Sequence, residues 1–120
     1  MFSYIRRNVR KFKNKVEVVT GGAHVIGQAI VEDFRKEGAV IEVIDKTTGT
    51  YFVGDIGNKE TLEAFSSYVL EMHSDIDYLI NNALPIMKGI DECSYAEFQC
   101  ALSVGVTAPF YLTKLFKDSF

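Results

Sequence analysis

The stretch TGGAHVIG, residues 20–27, decides how the rest of the chain is read. It lies between an apolar run carrying Val16, Val18 and Val19 and a helix-like run from Gln28 to Glu37. Ala29, Ile30 and Phe34 share one face of that second run, and Ile26 extends the face backward. A glycine-bearing turn from strand into helix is suited to an anion, because the helix N-terminus offers free N–H groups and a partial positive charge. Such a turn is expected to need its middle glycine, which lets the backbone approach a ligand closely. Val25 stands there instead. If the turn requires a glycine-type conformation, valine costs about 1–3 kcal/mol.

Outward from this turn, the chain has 120 residues, enough for one domain with its own core. A hydrophobic content of 48% and a formal charge of −3 describe a globular protein and give no footprint of a nucleic-acid binder. Cys93 and Cys100 form no C-x-x-C pair and fit a reducing, cytoplasmic setting. No apolar run reaches the roughly 18 residues of a membrane-spanning helix. Residues 1–13 read as a basic N-terminal extension, with Arg6, Arg7, Arg10, Lys11 and Lys13 and no acid. Membrane contact is one reading of such a segment, but a tail preceding the first strand is the preferred one. Residues 14–120 read as the single domain that follows it.

Val16 to Thr20 is expected as a strand, Gln28 to Glu37 as a helix stopped by Gly38, and Val40 to Ile44 as a β-branched second strand. Tyr51 to Val53 is a short third strand. Asn58 caps a helix with Leu62, Phe65, Val69 and Met72 on one face. Ile76 to Ile80 is a fourth strand. Ser94 and Glu97 form a capping box before a long helix through Leu112, with Pro109 as a possible kink. Alternation of this kind implies an α/β fold with an open parallel sheet. The link from Asp45 to Tyr51 is short for a parallel return, yet its six steps extended reach about 20 Å. A hairpin is the rival there.

Each strand delivers glycine or polar residues at its C-terminal end: Thr20-Gly21-Gly22, Asp45, Asp55 and Asn81-Asn82. In an open parallel sheet, ligands bind outside those ends. An aspartate ending the second strand suits hydrogen bonds to a ribose 2′-hydroxyl and repels a 2′-phosphate.

These segments together resemble the N-terminal half of the short-chain dehydrogenase/reductase family, over residues 11 to 117. TGGAHVIG resembles the family's TGxxxGIG turn, and KFKNKVEVVTGG its entry into the first strand. VGDIGNKETL, IDYLINNAL and SVGVTAPFYLTKL resemble the family's adenine-contact segment, its NNAG strand end and its VNLTGPFLLT helix, in the right order. The resemblance implies a Rossmann-type fold of about four strands in the order 3-2-1-4, ending before a fifth. It implies a bound nicotinamide dinucleotide, contacted by Gly21, His24, Val25, Ile26, Gly27, Asp45, Lys46, Asp55, Ile56, Asn82 and Ala83. Asp45 resembles the family's NAD-preferring acid, so NAD is expected over NADP.

Departures accompany the resemblance. Leu84 replaces the glycine of NNAG and, with Val25, is expected to weaken cofactor binding; Gly105 replaces a catalytic-site asparagine. The family's reaction uses a serine and a Tyr-x-x-x-Lys pair, and none of the six tyrosines here has a lysine four residues on. No catalytic residue is therefore assigned, and the isolated chain is expected to be inactive; the alternatives are a weak nucleotide-binding or self-associating module, or a non-functional remnant of such an enzyme. A tyrosine near its free pKa of about 10 is a poor base at neutral pH without such help. No metal site is expected, since His73, Cys93 and Cys100 have no zinc spacing. His24 reads as a loop donor, the cysteines as small packing residues, and Phe98, Phe110, Tyr111 and Phe116 as a helix packing face. Glu17 and Glu42 fall in strands that should be covered on both faces. Either they lie near strand ends or an open face, or selection on them is relaxed. The fourth strand's bare edge and the long C-terminal helix are the expected route to a homo-oligomer or a complementary half.

Overall fold

The computed structural model describes residues 10–120. Most of the basic extension lies outside the described residues. Four strands, β1 (Val16–Thr20), β2 (Val40–Asp45), β3 (Phe52–Val53) and β4 (Tyr78–Asn81), form one sheet in the order β3-β2-β1-β4. All three pairings are parallel. The short link after Asp45 therefore makes a parallel return, with Ile44 opposite Phe52 and Asp45 opposite Val53, and the hairpin alternative is excluded.

The helices are α1 (Val25–Lys36), α2 (Lys59–Met72), α3 (Tyr95–Leu102) and α4 (Ala108–Phe116). Alternation along β1 sends Val18 to one face and Val19 to the other. Val18 and Ile44 meet Leu62, Phe65 and Val69 of α2 and Leu112 and Phe116 of α4 in the larger core. Val19 and Val43 meet Val31 of α1 in a smaller one. Met72, expected on the buried face of α2, is exposed.

Local signals set the helix ends. The Asn58 side chain accepts the Glu60 and Thr61 N–H groups at 3.0 and 3.3 Å. The Ser94–Glu97 capping box is complete. Helix α1 ends in a Schellman turn: Gly38 N–H donates to Arg35 O, and Ala39 N–H to Phe34 O, both at 3.0 Å. Helix α1 also starts earlier than its apolar pattern indicates, inside the glycine turn.

The run from Ser94 is neither one straight helix nor a helix broken at Pro109. A π-type segment, Ser103–Thr107, joins α3 to α4. Ala108 N–H reaches back five residues to Ser103 O. Pro109 has no N–H and its ring crowds the carbonyl four residues earlier. One widened turn before it accommodates both problems. The aromatic residues expected to share a packing face are divided: Phe116 is buried, while Phe98 and Phe110 are exposed.

The two strand carboxylates have different solutions. Glu42, in the middle of β2, meets His73 at the C-terminal end of α2, with Oε1 and Nε2 2.9 Å apart. Glu17 is 0% exposed, and neither carboxylate oxygen has a hydrogen-bond partner among the described residues. Removing the cap of α2 by Asn58→Ala is expected to lower unfolding stability by about 1 kcal/mol, read as a lower urea midpoint at unchanged m-value.

Candidate functional site

The C-terminal ends of the strands open into one cleft of about 790 Å³. Its floor is a set of close backbone contacts. Thr20 Oγ1 accepts the N–H groups of Asn82 and Ala83, both at 3.1 Å. Gly21 N–H donates to Ile44 O at 2.8 Å, and Asn82 Nδ2 donates to Gly21 O at 3.0 Å. These bonds tie the end of β1 to its neighbours β2 and β4.

Two glycines make this possible. Gly21 has φ +68°, and a Cβ there would lie 2.9 Å from Ala83 Cα. A Cβ on Gly27 would lie 2.1 Å from Gly21 O and 2.5 Å from Asn82 Nδ2. Val25 adopts φ +39°, the left-handed region that suits glycine and strains a β-branched side chain. Its side chain is 82% exposed and lines the cleft. The valine thus combines backbone strain with bulk at the mouth of the site.

Asp45 closes the corner between β2 and the start of α1. It is only 7% exposed. Its Oδ2 accepts Ala23 N–H at 3.1 Å and its Oδ1 accepts Thr47 N–H at 3.0 Å. Each oxygen retains a lone pair for a ligand hydroxyl. His24 caps α1 by position without a side-chain cap bond, and its Nε2 lies 2.9 Å from Thr47 Oγ1. Tyr51 OH donates to Thr47 O. Desolvation, and then the Asp45 charge, hold the Tyr51 hydroxyl above its ordinary value. Next along the rim, Asp55 Oδ1 accepts Gly57 N–H at 2.8 Å, and Ile56 is buried behind it.

Every position expected from the sequence to contact a cofactor lines this cleft, Lys46 and Ala83 included. Leu84 also lines it and is 83% exposed. Sequence reading missed the opposite wall, where Glu97, Cys100 and Val104 come from α3 and the π-type segment. Cys100, expected as a packing residue, is exposed on that wall. Lys88 forms an ion pair with Glu97, which also completes the Ser94 capping box. The Lys88 hydrogen bond is the main reason the Glu97 carboxyl is held low, and that bond likewise raises Lys88. Only the capping box hinted at this wall. Among the described residues no group of His, Cys, Asp or Glu could hold a metal ion, and no helix is long and apolar enough to cross a membrane.

A parallel sheet whose strand ends, glycine turn and helix N-terminus converge on one cleft defines a Rossmann-type nucleotide-binding fold. The family model for short chain dehydrogenases matches residues 15–120, and the chain belongs to that oxidoreductase family. It is 32% identical to L-fucose dehydrogenase of Mus musculus over 121 residues, covering 89% of this chain and 44% of that protein. The L-sorbose reductase of Gluconobacter frateurii, solved with NADPH and L-sorbose, superposes with a TM-score of 0.81 at 25% identity, covering 92% of this chain and 49% of that one. A glucose/ribitol dehydrogenase-type member from Brucella melitensis gives a TM-score of 0.83 at 25% identity, covering 92% and 53%. The chain spans about half the length of the relatives it matches.

Substitutions in the turn should act in opposite directions. Val25→Gly removes strain of about 1–3 kcal/mol, offset in part by the greater chain entropy of glycine, about 0.5–1 kcal/mol. A net rise in the urea midpoint is expected. Gly27→Ala forces a Cβ onto Gly21 O and should lower stability by about 1–3 kcal/mol.

Proposed function

We propose that this chain is the nicotinamide-dinucleotide-binding portion of a short-chain dehydrogenase and prefers NAD to NADP. The observation that carries the reading is the Asp45 carboxylate at the end of β2, facing the same cleft as the glycine turn and the start of α1. The pyrophosphate would lie at the N-terminus of α1, near His24 and Ile26. Asp45 would accept from the adenosine ribose, and Asp55 and Ile56 would border the adenine. Asn82 would face the cofactor's ribose side.

When bound, the dinucleotide supplies or accepts a hydride. This chain's own residues orient it and exclude water. They do not provide the proton-transfer step, because no Tyr-x-x-x-Lys pair occurs in the sequence. The 120-residue chain is therefore expected to show no steady turnover with NADH and a panel of ketones. Calorimetric titration should give measurable NAD binding and at least tenfold weaker NADP binding. Asp45→Ser should narrow that ratio, because the charge that repels a 2′-phosphate is gone. Absence of any heat with NAD, in the folded chain, would overturn the reading.

A second reading concerns assembly. The outer edge of β4 has no strand partner among the described residues, and Phe98, Leu102, Val106 and Phe110 are exposed along α3, the π-type segment and α4. These surfaces support self-association or pairing with a complementary half. Sedimentation at tens of micromolar, roughly the range in which such surfaces associate, should show species larger than the monomer. A clean monomer would remove this reading and leave the cofactor proposal intact.

A further inference from the structure

Glu17 lies far along β1 from the cleft, at the strand's opposite end. In register it stands beside Ile41 of β2 and Tyr78 of β4, on the face shared with Val19. Helix α1 runs back across that face. Its Val31 packs with Val19, so Phe34, one turn on, comes to the level of Glu17. Phe34, Tyr78 and Phe12 form a three-ring cluster, with centroids 4.6 Å apart for Phe12–Phe34, 5.6 Å for Phe12–Tyr78 and 6.2 Å for Phe34–Tyr78. Phe12 belongs to a turn, Lys11 to Asn14, that straps across the C-terminal end of α1. The strap is held by Phe12 N–H to Glu37 O at 3.0 Å, Asn14 N–H to Gly38 O at 3.2 Å and Lys11 N–H to a Glu37 carboxylate oxygen at 3.2 Å.

Among the described residues nothing near Glu17 offsets a negative charge. Tyr78 is the titratable group on its face of β4, and Ile41 faces it from β2. Asp77, at the mouth of β4, accepts Val16 N–H and pairs with Lys15. Glu42 points to the other face and meets His73. Arg35, Lys36 and Glu37 end α1, and Glu37 is bonded to the strap. Arg10, just before the strap, and Lys11 and Lys13 within it are exposed. Among the described residues none of these bonds to Glu17.

We propose that the Lys11–Asn14 strap is a proton-operated latch, closed over the neutral carboxyl of Glu17 and released when that carboxyl ionises. A neutral acid is tolerated among the aromatic rings, whereas a carboxylate there needs water. The sheet and α1 cannot open without breaking the cores. The strap can, because few bonds hold it and its residues are largely exposed.

Burial pushes the Glu17 carboxyl up from 4.5 to about 7. The closed state thus holds its proton more tightly than the open one. The stabilisation of the closed latch is complete below 4.5 and is lost as pH rises through about 7. Over that whole window the open population should grow by about two to three powers of ten.

Hydrogen exchange of single amides reads this directly. Protection factors of the Phe12, Asn14 and Lys15 amides should fall about 30- to 100-fold between roughly pH 5 and 8.5, while those of Val19 and Val43 hold. In Glu17→Gln, and independently in Glu17→Val, strap protection should lose this pH dependence. The latch is overturned by flat strap protection in the parent chain or by an undiminished slope in both variants. It is equally overturned if Val19 and Val43 lose protection in parallel with the strap, since that is global loosening.

Discussion

The fold depends most on how closely the ends of β1 and β4 approach each other. Gly21 O accepts the Asn82 side chain, and Gly27 passes over the same carbonyl with no room for a Cβ. Thr20 adds two more bonds, to the first two amides beyond β4. This knot lies where strands, turn and helix meet, so the cleft and the sheet share one set of contacts. A buried polar group left unbonded costs more than an average hydrogen bond contributes. Here each bond that satisfies the backbone also shapes the floor of the site.

The two faces of the sheet are built to different standards. Toward α2 and α4, large side chains such as Phe65, Leu112 and Phe116 fill the space, and the strand carboxylate on that side, Glu42, meets His73. Toward α1 the buried hydrophobic set is three valines, with Glu17 beside them and without a hydrogen-bond partner among the described residues. The α1 face is therefore the weaker side. Val25, strained at the other end of the same helix, adds to that imbalance.

Much of this was legible in the sequence because its signals are local. The glycine turn, the Asn58 and Ser94 caps and the Gly38 stop each act within a few residues, and each appears where the sequence implied. The strand order and the parallel return followed from the family resemblance and from chain reach. What was not legible depends on distant partners. The sequence does not announce that Glu42 meets His73 while the Glu17 carboxyl has no hydrogen-bond partner among the described residues. The α3 wall was missed because Cys100 and Val104 carry no chemical signature until the helix is placed against the cleft. The divided aromatic set has a plainer cause: Phe110 and Phe116 both lie in α4, and six residues of helix set them about 120° apart around its axis, one exposed and one buried.

The changed pitch of the π-type segment has a wider consequence. In a continuous α-helix, inserting one residue turns all that follows by about 100°. Here the π-type segment already absorbs the mismatch between a helix that lines the cleft and one that plugs the core. Glu97 and Cys100 are thereby set in phase independently of Leu112 and Phe116. The two halves of the rod can diverge in sequence separately: the cleft wall can change its lining while the core plug keeps its seat.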